Sequence, residues 1–239
     1  MDLNICLMND SFPPTIDGVA NAVVNYAKHI TASHGKCVVA TPEYPGVTDD
    51  YPFPVVRYPS LDTTQLTGYR AGNPLAPETI ETLRRMDCNL IHSHCPVAST
   101  VLARALRDAC DIPIVFTYHT KFDIDIARAV RSKLVQQAAI DLLVANVSAC
   151  DEVWVVSEGA GENLGKITPE VSNSMIWYTG DIHGQVRRVR EGLLRYNVQP
   201  GDTIEDRLDY NHWFCGHWHI NKHAGKLHFL MEDYEIISE

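Results

Sequence analysis

The chain reads as an α/β protein: a parallel β-sheet flanked by helices, followed by a smaller, incomplete α/β segment. Three observations carry this expectation. Up to about residue 165, short β-rich apolar runs alternate with longer amphipathic stretches. Those runs are almost continuously apolar, as strands are when helices cover both faces of a sheet. Near residue 165 the pattern changes: 166–174 is polar and holds Pro169, and a new apolar run opens at Met175. The expected boundaries are therefore 1–165 for a first domain, 166–174 for a linker or junction, and 175–239 for a second segment.

Element by element, residues 3–8 form an apolar strand, a Pro/Gly-rich turn follows, and 19–30 shows helical periodicity. Residues 36–41 and 54–58 are further strands, and a helix over 77–86 leads into a strand at 89–92. A helix over 97–109 precedes a strand at 113–118; a long amphipathic stretch, 124–150, then runs into a strand at 152–156. In the second segment 175–179 is a strand, 186–196 a helix, and Pro200-Gly201 a turn. Two short strands are expected at 213–215 and 227–231.

Composition bounds the function. With 45% hydrophobic and 21% charged residues among 239, a globular core forms readily. A net charge of −10 with no run of like charge excludes the basic footprint of a nucleic-acid binder. The seven cysteines form no C-x-x-C pair and sit mostly in apolar runs, so they read as buried small hydrophobes in a reducing compartment. No window reaches 18 uninterrupted apolar residues, and the first residues lack a basic region, so neither a transmembrane helix nor a secretory signal is expected. The expected location is the cytoplasm, with peripheral contact at the inner membrane face as a further expectation.

In an open parallel sheet, ligands sit beyond the carboxyl ends of the strands. Three such ends carry chemistry here. The first strand is followed by a turn that ends in Asp17-Gly18 at a helix start, where backbone N–H groups can approach a phosphate. The next two are followed by His92-Ser93-His94 and by Thr117-Tyr118-His119-Thr120-Lys121. Plainer readings stand beside these: Gly18 as a tight turn, and His119 as a hydrogen-bonded histidine at a strand end. His92 and His94, two residues apart, place both rings on one side of a strand, a pattern that suits a metal. Arg128, Arg131 and Lys133 form either a solvated helix face or a contact for anionic lipid.

The ordered motifs FPPTIDGVANAV, NLIHSHCP, IPIVFTYHTKFD and DEVWVVSEG resemble the N-terminal, Rossmann-like domain of retaining GT-B glycosyltransferases, family-four-like and of the lipid or phosphatidylinositol type. The resemblance implies an acceptor-side domain that moves sugar from a nucleotide-sugar to a lipid or glycan acceptor, without a cofactor or metal. It implies His119 as the cleft histidine near the transferred sugar, and Asp17, Gly18, His94 and Lys121 around the donor phosphate or acceptor cleft. Asp17 stands where many members carry a second glycine. The E-x7-E carboxylate pair of the second GT-B domain has no counterpart after Gly165, so this chain alone is expected to be inactive.

Five of the eleven histidines fall after residue 211. Asp181 and His183 follow an apolar strand and alternate around one residue, and His217 and His219 repeat that spacing. Carboxylate and imidazole together suit Mn²⁺, Fe or Zn²⁺, and a pair of such ions can clamp a phosphoryl group. The stretches MIWYTGDIHGQ and HWFCGHWHINK are similar to the first and last signatures of calcineurin-like metallophosphoesterases. That resemblance implies Asp181, His183 and His219 on one metal and His217 on a second. The family's bridging-aspartate and G-N-H elements are not matched, although Asp202 in a G-D-x-x-E stretch is a candidate bridging ligand. Metal-dependent phosphoester hydrolysis by this segment is thus the second expectation, and a non-catalytic fusion or truncated gene product the third.

Overall fold

A computed structural model of the chain describes residues 3–169 and the strands Met175–Trp177, Trp213–Gly216, Lys222–Ala224 and Leu227–Leu230. In chain order the first unit runs β1 (Leu3–Met8), α1 (Gly18–Ser33), β2 (Gly35–Pro42), β3 (Val55–Tyr58), β4 (Ser60–Leu61), α2 (Thr64–Thr67), β5 (Ala71–Gly72), α3 (Pro77–Arg84), β6 (Leu90–Ser93), α4 (Ala98–Cys110), β7 (Ile114–Tyr118), α5 (Phe122–Ala129), α6 (Lys133–Ser148), β8 (Glu152–Val155), α7 (Glu158–Ile167) and β9 (Met175–Trp177). Seven strands make one sheet in the order β3-β2-β1-β6-β7-β8-β9. Every pairing in it is parallel. A second unit, residues 178–239, holds β10 (Trp213–Gly216), β11 (Lys222–Ala224) and β12 (Leu227–Leu230), with β12 central, parallel to β10 and antiparallel to β11.

The order of the strands positions the site. From β1 the chain winds outward through β2 to β3, then returns to place β6 on the other edge of β1. The helices after β1 and after β6 therefore lie on opposite faces, and a crevice opens between the carboxyl ends of β1 and β6.

Burial on both faces explains the apolar runs. Cys6 and Met8 pack on one face with Val38, Ile91, Leu83 of α3, and Leu102 and Leu106 of α4. Ile5 and Leu7, also buried, point to the opposite face, where Leu7 sits beside His92 in the register. Farther along the sheet Phe116, Tyr118, Val153 and Val155 pack against Leu143 and Val147 of α6 and Ala160 and Leu164 of α7. At the head of β2, Gly35 has φ 149°, and a Cβ there would run into the Leu3 carbonyl, so only glycine lets β2 start beside β1.

Several elements depart from the sequence expectation. The stretch expected over 124–150 divides into α5 and α6, and the small elements β4, α2 and β5 have no apolar periodicity to announce them. Met175–Trp177, expected to open the second segment, pairs in parallel with β8 as the seventh strand of the first sheet. The helix expected at 186–196 and the turn at 200–201 lie outside the described residues. Among the described residues no helix is long and apolar enough to cross a membrane.

Removing Leu102, a fully buried side chain of α4, tests this packing. Leu102→Ala is expected to lower the unfolding free energy by about 2–5 kcal/mol, measured by urea denaturation.

Candidate functional site

The turn after β1 is fixed by two charged groups. Asp10 caps α4 from across the crevice: Oδ2 accepts from the Ala98 N–H at 3.0 Å, and Oδ1 accepts from the Ser99 N–H at 2.7 Å, from the Ser99 hydroxyl and from the Tyr58 hydroxyl at 3.3 Å. Val97, the residue preceding α4, has no capping side chain of its own, so Asp10 satisfies helix N–H groups that would otherwise lack partners. Arg57 of β3 does similar work. Its guanidinium forms a two-toothed pair with Asp49 at 2.7 and 2.8 Å and donates to the Pro13 carbonyl at 2.6 Å.

Asp17 precedes α1 in extended conformation, and its Oδ1 accepts from the Ala20 N–H at 2.7 Å. The cap leaves the N–H groups of Gly18 and Val19 in the first turn of the helix, where no intrahelical carbonyl can reach them. Gly18 is exposed, its backbone does not require glycine, and a Cβ built on it would meet nothing within 4 Å. Neither strain nor internal packing therefore requires a glycine at this position.

At the carboxyl ends of β6 and β7 stand three imidazoles. His92 and His94 are fully buried, and His119 is half-buried at the crevice. His92 Nε2 lies 2.7 Å from the Thr117 hydroxyl, and His94 Nδ1 lies 2.9 Å from His119 Nε2. The His92 and His94 ring centroids lie 4.1 Å apart with the planes tilted by 35°, and Tyr26 of α1 is about equally close to both, at 5.5 and 5.3 Å. Trp154 meets His92 edge-on at 5.3 Å.

Burial rules their protonation. It pushes His92 down to about 3, helped by His119, and holds His94 well below the ordinary histidine value, with His92 and His119 adding to the effect. His119 is pushed down to about 4 by burial, against an upward pull from the Asp17 carboxylate. All three are neutral at pH 7, so the site presents hydrogen-bonding imidazoles and not cations.

The structure thus brings together Asp17, Gly18, His94 and His119 from three strand ends. Lys121, two residues past His119, is exposed, and its Nζ is 4.0 Å from where a Cβ on Gly159 would sit, near the start of α7. The pairing of the His92 and His94 rings agrees with their spacing, but both are engaged with Thr117 and His119, and no group of three potential metal ligands occurs among the described residues. Asp181, His183, Asp202, His217 and His219 lie outside the described residues. Sequence reasoning gave no role to Asp10, Thr117 or Tyr26. Asp10 carried the one available signal, a carboxylate directly after an apolar strand.

A parallel sheet that reverses order at a crevice floored by neutral histidines and edged by a capped helix start defines an α/β protein of the Rossmann-like class. Residues 16–180, more than half of the chain, match the model for Glycosyltransferase Family 4, and the chain belongs to that family. It is 28% identical over 130 residues to the GDP-mannose-dependent alpha-mannosyltransferase of Corynebacterium glutamicum, covering 49% of this chain and 29% of that protein. The chain therefore spans under a third of that relative's length. Among solved structures, sucrose-phosphate synthase from Thermosynechococcus elongatus shares the fold, with a TM-score of 0.55 at 17% identity over 75% of this chain and 48% of that one. Arabidopsis thaliana UGT89C1 in complex with UDP gives a TM-score of 0.48 at 11% identity, over 80% and 57% of the two chains.

The depressed imidazole values make stability depend on pH. Above the ordinary value of 6.5 the stabilisation is complete. It is lost as pH falls toward 4 and then 3, because the unfolded chain takes up protons that the folded chain excludes. Each histidine adds up to about 1.4 kcal/mol per pH unit in that window. Urea titrations between pH 7.5 and 4.5 are expected to show this slope, and His92→Leu to reduce it by one proton.

Proposed function

We propose that this domain forms the acceptor-side wall of a sugar-transfer site, with sugar passing from a nucleotide-sugar to a lipid or glycan hydroxyl. The observation that carries the reading is that His119, neutral and at the crevice, lies within electrostatic reach of Asp17, the cap of the open end of α1 that begins at Gly18. In the transfer, the bond between the anomeric carbon and the leaving phosphate breaks as the acceptor oxygen takes its place. Negative charge builds on the phosphate, and the spare N–H groups of Gly18 and Val19, with the positive end of the helix dipole, are placed to receive it. A neutral imidazole at His119 suits a sugar hydroxyl, since it offers directional hydrogen bonding without pairing tightly to the diphosphate. Lys121 supplies the positive charge on this side. Asp17 stands next to the phosphate end, and its capping bond from Ala20 turns one oxygen away to the helix.

The mannosyltransferase relative makes GDP-mannose the first nucleotide-sugar to try. The chain is expected to bind it with an affinity that falls at least tenfold in Gly18→Val and in His119→Ala, read by isothermal titration calorimetry, while both variants keep the wild-type melting temperature within a few degrees. Equal affinities in the wild type and both variants, for GDP-mannose and UDP-sugars alike, refute the reading. The metallophosphoesterase reading of residues 175–239 rests on its two motifs alone. Mn²⁺-stimulated hydrolysis of p-nitrophenyl phosphate that Asp181→Asn abolishes is the result that upholds it.

A further inference from the structure

We infer that His94 is a positioning residue that locks His119 into the tautomer carrying its proton on Nδ1, so that the crevice is met by an imidazole N–H donor. The inference rests on the sugar-transfer reading for its purpose, but not for its geometry.

Two neutral imidazoles joined at 2.9 Å, His94 Nδ1 to His119 Nε2, hold one proton between them, and either ring can own it. The surroundings decide. His94 is fully buried, and its Nε2 has no hydrogen-bond partner among the described residues. If the bridging proton belonged to His119, the other His94 proton would sit on Nε2 as a buried N–H with nothing to accept it. Buried donors without acceptors are the rarer and costlier fault, whereas a buried nitrogen lone pair facing ring carbons is tolerated more readily. The His94 ring packs against the rings of Tyr26 and His92. His94 therefore carries its proton on Nδ1 and donates to His119 Nε2.

That bond settles His119. With Nε2 accepting, its single proton is on Nδ1, and Nδ1 has no hydrogen bond among the described residues. The ring is thus presented as a donor to an oxygen lone pair, such as a sugar hydroxyl or a phosphate oxygen, and not as a base to an incoming proton. His92 follows the same rule one layer deeper: its Nδ1 lacks a partner among the described residues, so its Nε2–H donates to the Thr117 hydroxyl.

The test needs no ligand. In the full-length chain labelled with ¹⁵N-histidine, two-bond ¹H–¹⁵N correlation spectra at pH 7.5 report which ring nitrogen of His119 is protonated. The expected pattern is protonated Nδ1 and unprotonated, hydrogen-bonded Nε2; a wild-type His119 protonated on Nε2 overturns the proposal outright. His94→Asn keeps an amide donor near the Nδ1 position and is expected to preserve the pattern. His94→Leu removes the donor and is expected to let His119 shift toward the Nε2–H form that neutral histidine favours in water. Retention of the Nδ1–H form in a folded His94→Leu protein also overturns it. Affinity for GDP-mannose should then fall about tenfold in the leucine variant and recover in the asparagine variant. Should neither GDP-mannose nor UDP-sugars bind while the spectra follow the expected pattern, the sugar-transfer reading fails and the positioning role of His94 stands.

Discussion

β1 is paired along both edges, with β2 on one side and β6 on the other, and the chain reaches those neighbours by winding in opposite directions. Almost everything else about the molecule follows from that double pairing. A strand hydrogen-bonded on two edges and covered on two faces favours apolar side chains, in keeping with its last four residues, Ile5, Cys6, Leu7 and Met8. The first residues free to be polar come immediately after it, at Asn9 and Asp10. Buried polar side chains of the strands thus gather toward their carboxyl ends, where His92, Ser93 and Thr117 stand.

That rim is held together by interactions that cross the reversal. Asp10 leaves β1 and caps the helix that follows β6, so the two halves of the sheet are joined by a carboxylate as well as by the backbone ladder. On the other face, Tyr26 of the helix after β1 reaches the rings of His92 and His94. Burial without a compensating anion keeps these histidines neutral, and only His119, at the end of β7, carries the network to the crevice. The cluster is thus graded from a dry interior to a wet edge.

How much of this was legible beforehand depended on range. The strands β1, β2, β6, β7 and β8 were legible because double-sided burial demands continuous apolar runs, and the helices between them because of their period. Gly18 and His119 could be placed at strand ends by counting. The hydrogen bond from His94 to His119 could not, since it spans 25 residues and depends on the register of β6 against β7. Asp10 was visible as a carboxylate, but its partners lie 88 and 89 residues away. Met175–Trp177 shows the reverse failure: three apolar residues look alike whether they begin a new sheet or complete an old one, and only pairing with β8 decides.

Arg57 brings a consequence of its own. One planar cation grips both oxygens of Asp49 and the Pro13 carbonyl while lying over the Phe12 ring at 5.8 Å. Three stretches of chain, distant in sequence, meet at that joint, and the fork geometry is one that lysine cannot reproduce. Any tug on the segment bearing Phe12 and Pro13 is passed to β3 and to the loop bearing Asp49. The wall leading up to Gly18 therefore yields, if it yields at all, as one stiff piece.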